Sequence, residues 1–505
     1  MRLFRRKGSG GFNQGSMEKP SGDGDFELTG LLDQDVENLK RLFSAHDFTF
    51  RRITGKTDLA VVFLSSLCNH DSLEMEVIAP LNRFVGERAW TLEELLPFIH
   101  TGNVRLVKDK DEILEFMFEG YAIILMEGQT EALAACVGDV KRRVISQPVT
   151  EMLIHGPYEA FNESIVDSIS LIRRRLATER LRIETTRVGN FAKTRLAICY
   201  VDGIARPELV EEVRRRVQEI DKFVVDAGSL EQLLVDHPLT PFPQLNYTER
   251  PDKAVANLME GRVIILTDGY PYAFIAPTTL FDMLQPSEDY YFHFLPASFI
   301  RLVRYFSAFF ALFLPSIYTV IVMYRPEIIP SELFFRLAAQ REGVPLPTVL
   351  EIFLMEISFE LLREAGIRLP PPAGQAISIV GALIVGEAMI NAGLVAPVTL
   401  IVTATTGLSS FTIPAFHLSY GLRVLRFIIL IFSATIGMYG LIVATFLIIL
   451  HLLSLKSFGY PYLAPVVPGR KKDWRDVFIR LPMPSIQRQP IFLKLKPIPG
   501  RRRRK

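Results

Sequence analysis

Cysteine is scarce in this chain. There are three in 505 residues, Cys68, Cys136 and Cys199, at spacings that suit neither a zinc site nor a redox pair. Each falls in or beside a stretch that reads as a strand, where a buried free thiol is the ordinary role, and a reducing compartment fits. Phosphate-binding and hydrolytic signatures are missing too: there is no GxGxxG, GKS/T, HExxH or GxSxG. His155 has no second ligand or nucleophile near it in sequence and reads as a loop histidine. These absences exclude the usual metal, cofactor and phosphate-loop chemistries, so no catalytic residue, metal or cofactor is expected and the chain is expected not to be an enzyme. A net charge of +2 gives no argument for nucleic acid. The first arginines are followed by a polar, glycine-rich segment instead of an apolar core. No secretory signal is read there, and the soluble part is expected on the cytoplasmic side.

What is present divides the chain in two. The composition is 49% hydrophobic yet 22% charged, with charges dense up to about Glu288 and sparse beyond it. A soluble α/β region followed by a helical multi-pass membrane region accounts for both figures. The first 30 residues read as a disordered tail, followed by two α/β subdomains at 31–148 and 149–290. The two subdomains repeat one plan. Lys56–Val61 matches Lys193–Ile198, and FEGYAIILMEGQTEALAA at 118–135 matches MEGRVIILTDGYPYAFIA at 259–276. Two matches in the same order argue for duplication, with Glu127-Gly128 and Asp268-Gly269 as hairpin turns. Between them, Asn162 or Ser164 caps a helix carrying Ile165, Ile169 and Ile172. Arg173, Arg174 and Arg175 end that helix, where cations suit its dipole. They read either as solvated charge with local ion pairs or as a docking site for a partner or lipid headgroups. Pro238–Pro243 reads as a rigid connector, and the charges around YTERPD at 247–252 read either as a catalytic cluster or, more economically, as ion pairs between subdomains.

The membrane region is expected over 291–455, with spans at about 305–323, 375–395, 397–415 and 427–453. The stretch Gly374–Leu394 is apolar and rich in small residues, which permit close helix approach. It carries one carboxylate, Glu387, with Asn391 a turn later. A carboxylate there is expected to face protein or water. It belongs either to a tightly packed helix or to one lining a polar path, and the face Val380, Ile384, Glu387 and Asn391 is the candidate pore lining. Four spans put both termini on one side, with a hairpin at Ala396-Pro397 on the cytoplasmic side and Arg423 and Arg426 outside. The acidic helix 346–367 places Glu351, Glu356 and Glu360 along one side; it reads as a surface or packed helix, or as the border of a cation vestibule. Residues 456–505 read as a basic cytoplasmic tail.

Several segments in order resemble one family. They are HGPYEAFNESIVDSISLIRRR (155–175), YTERPD (247–252), IAPTTLFDMLQPSEDYY (275–291), AISIVGALIVGEAMINAGLVAP (376–397), SSFTIPAFHLSYGLRVLRF (409–427) and SFGYPYLAPVVP (457–468). Together they resemble the A subunit of GerA-family nutrient germinant receptors of spore-forming bacteria, over about residues 35–490. The resemblance implies a multi-pass protein of the spore inner membrane, with termini on the cytoplasmic or core side. It implies partnership with a transporter-like B subunit and a lipoprotein C subunit, contact with membrane lipid, and homo-oligomerisation into a cation-conducting channel that triggers germination. The alternatives are a non-conducting structural scaffold and a GerA-like protein of the SpoVA group. One departure stands out: Glu387 occupies a position where glutamine is usual in the family, which leaves the charge of the implied path open.

Overall fold

A computed structural model describes residues 28–43, 46–84, 90–138, 147–189, 193–220, 227–368, 384–469, 473–482 and 493. The chain opens with helix α1 (Leu32–Phe43), whose Leu32, Val36, Leu39 and Phe43 fall on one face and are buried. Strands β1 (Phe48–Ile53), β2 (Leu59–Leu64), β3 (Val104–Val107), β4 (Tyr121–Met126) and β5 (Ala132–Cys136) form a sheet in the order β1-β2-β4-β5-β3. Helix α2 (Lys110–Phe118) precedes β4. After helix α3 (Ile165–Arg175) the plan recurs with β6 (Leu181–Val188), β7 (Thr194–Val201), helix α4 (Pro207–Gln218), β8 (Asn246–Thr248), helix α5 (Pro251–Glu260), β9 (Val263–Thr267) and β10 (Ala273–Ala276). The second sheet runs β6-β7-β9-β10-β8, the same order displaced by five strands, and all its pairings are antiparallel like those of the first. Duplication inferred from two short matches is thus carried by the whole topology.

The central strands read as unbroken apolar runs because both faces of each sheet are covered. Along β2, Val61 and Phe63 enter one core while Ala60, Val62 and Leu64 enter the other. The β4–β5 and β9–β10 hairpins turn at Gly128 (φ +81°) and Gly269 (φ +78°), a left-handed conformation that glycine adopts without cost. Ser164 is the residue that caps α3, accepting the Asp167 N–H.

The subdomains meet where the end of α1 and the turn before β1 reach β6 and α3. His46 N–H donates to Ile183 O at 3.1 Å, and Arg182 donates to the last carbonyls of α1, Leu42 O and Phe43 O. Arg173 is fully buried and grips Asp47 through Nε at 3.2 Å and Nη2 at 2.9 Å. The YTERPD charges do not make this junction. Glu249 accepts Thr150 N–H and Glu151 N–H, and Arg250 pairs with Asp252, so they bind the 150–151 linker to the second subdomain itself.

The remaining helices form a bundle: α6 (Phe294–Tyr324), α7 (Ser331–Arg341), α8 (Thr348–Arg368), the short turns Ile384–Ala388 and Met389–Asn391, α9 (Pro397–Phe411), α10 (Phe416–Ile436) and α11 (Met438–Ser454). One end abuts the second subdomain, where Ile413, Leu418 and Leu455 share an apolar cluster with Phe242, Met283 and Leu284. At the other end Tyr324 OH donates to Ala434 O at 2.6 Å.

Three sequence expectations change here. The stretch 427–453 is not one span: Gly437 (φ +67°) separates the antiparallel α10 and α11. The two helices close so tightly that a Cβ on Gly440 would collide with Phe432 O. Ala396-Pro397 lies at the far end of the bundle, not beside the subdomains, because Ala396 N–H donates to Glu351 at 3.0 Å and Thr399 meets Tyr318. Arg423 and Arg426 sit in the half of α10 nearer the subdomains, since Gly421, one turn away, packs against Pro241 O. The basic tail is also partly structured. The carbonyl of the buried Tyr462 accepts Leu280 N–H, and Arg480 is buried against the carbonyls of Asp289 and Phe292.

Candidate functional site

The bundle is inside out. Along α9, Thr399, Thr403, Thr406, Ser409 and Ser410 are buried while Ile401, Leu408 and Phe411 are exposed. In α10, Arg423, Arg426 and Ser433 are buried, with Val424, Ile428 and Ile431 outside. Buried hydroxyls bond back to their own helix, as Thr403 Oγ1 does to Thr399 O at 3.0 Å. In water this arrangement would expose apolar area and desolvate polar groups together, two costs of the same sign. Among the described residues two helices, α6 and α10, are long and apolar enough to cross a membrane.

The charges inside form two groups. Toward the far end, Glu351 is fully buried, accepts Thr399 Oγ1–H and Ala396 N–H, and pairs with Arg341 at 2.9 Å. Nearer the subdomains, Glu356 pairs with Arg426 at 2.8 Å, and Glu360 with Arg423 at 3.0 Å and Arg426 at 2.9 Å. Arg363 lies over the Phe411 ring at 4.3 Å and donates to Ser410. The acidic side of α8 therefore turns inward onto arginines of α10, and its exposed side carries Leu350, Ile357 and Leu361. Within the single chain Glu351, Glu356 and Glu360 each have an internal arginine partner.

Of the candidate pore face, Val380 lies outside the described residues. Ile384 opens the first of the described turns, Ile384–Ala388, which has the wide π form. Gly386 is buried against Leu400 of α9, whereas Glu387 and Asn391 are exposed on the outer side. Glu387 thus stands on a peripheral helical segment with its carboxylate turned away from the fold. Arg173 and its neighbours separate: Arg173 is buried on Asp47, Arg174 is exposed, and Arg175 pairs with Glu159 at 2.5 Å. Docking is open only to the last two.

Sequence reading missed the junction between soluble region and bundle. Asp289 is buried and holds both Arg301 (3.0 Å) and Arg304 (3.1 Å), the two arginines at the start of α6. Segment 473–482 closes over them: Arg301 donates to Asp476 O, Tyr290 OH to Asp476 Oδ2 at 2.8 Å, and Tyr305 OH to Val477 O at 2.9 Å. Nearby, Arg262 grips Asp282 through two hydrogen bonds. Burial pushes that carboxyl up, but the guanidinium outweighs it and holds Asp282 below the ordinary carboxylate range. The only sequence signal was the pairing of two arginines with an acidic motif a few residues upstream. Among the described residues, no group of three or more His, Cys, Asp or Glu is placed to hold a metal ion.

Comparison with known proteins places the chain. A family model described as Bacillus/Clostridium GerA spore germination protein matches residues 37–492. Spore germination protein KA of Bacillus subtilis is 37% identical over 467 residues, covering 90% of this chain and 85% of that one. Spore germination protein GerLA of Bacillus cereus is 36% identical over 477 residues, covering 93% and 97%. A crystal structure of the N-terminal domain of the A subunit of the Bacillus megaterium spore germinant receptor GerK3 is 26% identical, covering 50% of this chain and 98% of that one at a TM-score of 0.39. The chain belongs to the GerA family of spore germination proteins.

Proposed function

We propose that this chain is the A subunit of a nutrient-responsive germination receptor of the spore inner membrane, and that it oligomerises into a cation-conducting channel. It acts without catalysis, beside a transporter-like B subunit and a lipoprotein C subunit. The described helices α6, α8, α9, α10 and α11 run between the two ends of the bundle. α6 begins and α11 ends beside the second subdomain, and Arg423 and Arg426 lie toward that same end, which removes the conflict with loop charge.

The observation that carries the channel reading is Glu387 with Asn391, exposed on a segment that packs on α9 through the adjacent Gly386. A carboxylate facing lipid is unfavourable by about 2.5–3.5 kcal/mol on insertion scales, whereas one facing a shared aqueous axis is not. Symmetry-related copies placed around that face give such an axis. The test is potassium release from spores carrying Glu387→Gln, Glu387→Lys or a bulky residue at Ile384. Altered release kinetics at normal subunit levels are expected; unchanged kinetics for all three refute the pore assignment.

A further inference from the structure

We propose that the loop His237–Phe242 of the second subdomain inserts its tip, Leu239, into the headgroup–acyl boundary of the bilayer. The proposal rests on the reading that α10 and α11 cross the membrane.

The loop is built as a rigid wedge. Gln244 closes it, accepting His237 N–H at 3.1 Å and donating to His237 O at 2.7 Å. Thr240 Oγ1 lies 2.8 Å from His451 Nε2 on α11 and accepts Phe242 N–H. Phe242 is buried, with its ring 6.1 Å from His451 and 6.3 Å from Tyr462. Pro241 O fills the space that a side chain on Gly421 of α10 would need. Between these anchors Leu239 is 99% exposed and touches nothing in the fold.

The level of the anchors decides what covers the tip. Gly421 lies five residues inside the start of α10, and His451 three residues inside the end of α11. At 1.5 Å per residue that is about 4–8 Å along the helices toward the far end. An exposed lone leucine on a water-facing loop needs no explanation. The helix residues that anchor this loop, Gly421 and His451, are flanked in sequence by the exposed apolar residues Tyr420 and Val424 of α10 and Leu450 and Leu453 of α11. Exposed Lys456 follows α11 at the same end, where a cation meets lipid phosphate. Proline on each side of the Leu239-Thr240 pair limits the backbone freedom lost when the tip is immersed.

The experiment uses the full chain with Cys136→Ser, reconstituted in phosphatidylcholine–phosphatidylglycerol vesicles, with an environment-sensitive fluorophore on a single introduced cysteine. Label sites are Leu239→Cys, Lys108→Cys as the solvent reference and Phe446→Cys on α11 as the membrane reference. The expected result is that the label at 239 is blue-shifted, quenched by lipids spin-labelled near the headgroup, and loses most of the iodide quenching seen at 108. Iodide quenching equal to that at 108 overturns the proposal. So does protection from both quenchers, which means that protein covers the tip. Failure of lipid quenching at 446 brings down the membrane placement of α11 itself, a separate outcome. Leu239→Asp supplies a second readout: the thermal midpoint stays unchanged in detergent and falls in vesicles, and equal midpoints in both refute insertion.

Discussion

Replacing Arg173 by alanine tests how the two soluble subdomains are joined. The guanidinium is fully buried and makes three contacts with Asp47 between 2.9 and 3.2 Å, plus bonds to Thr178 O and Leu181 O. Without it, a carboxylate only 6% exposed keeps Ser66 Oγ–H as its side-chain donor. Removing one partner of a buried pair destabilises by about 3–5 kcal/mol, far more than the ~0–1 kcal/mol of a surface pair. The loss is local, because each subdomain keeps its own two-sided core. It falls on the contact of the turn before β1 with β6, including the His46 N–H bond to Ile183 O. Hydrogen exchange of the full chain in micelles reads it out. Peptides containing residues 46–50 and 181–188 exchange faster by about two to three and a half orders of magnitude, since each 1.4 kcal/mol is tenfold. Peptides of β9 are unchanged. The double replacement Asp47→Asn with Arg173→Met recovers much of the protection, because no buried charge is then left alone. Exchange at the junction within about threefold of the native rate, under 1 kcal/mol, refutes the reasoning.

Other outcomes follow from the same physics. Arg426→Ala strips Glu356 and Glu360 of their shared cation and lowers the thermal midpoint in detergent well below that of Arg336→Ala, an exposed site; equal midpoints refute the buried network. Gly440→Ala forces α10 and α11 apart and destabilises by about 1–3 kcal/mol, read as a lower midpoint or loss of monodisperse protein on size exclusion. Burial pushes the Cys68 and Cys199 thiols up to about 12. A maleimide at pH 8 therefore modifies the folded chain at Cys136 alone, and labelling of Cys199 without unfolding contradicts the second core.

The soluble fold was readable because its signals are local. Runs such as YAIILMEG mark strands covered on both faces, and a repeated acid-Gly turn marks the two hairpins. The bundle was less readable for two physical reasons. The turn between α10 and α11 has no charged or polar loop; Gly437 alone reverses the chain, so hydropathy sees one long span. Glu360 of α8 is satisfied by arginines more than sixty residues away, and periodicity within one helix cannot reveal such partners. The sequence left the acidic helix either on the surface or packed against the bundle; in the fold it is packed, with its acidic face inward. Glu387 was the opposite case. Its isolation in an apolar stretch singled it out, and its exposure in the fold leaves it free to face another copy.

Conductance of the purified chain in liposomes tests the central claim most directly. With oligomers verified by cross-linking, the account predicts a potassium conductance that keeps its cation preference in Glu387→Gln and loses it in Glu387→Lys. Oligomers that carry no current, or a current indifferent to the charge at 387, would contradict it.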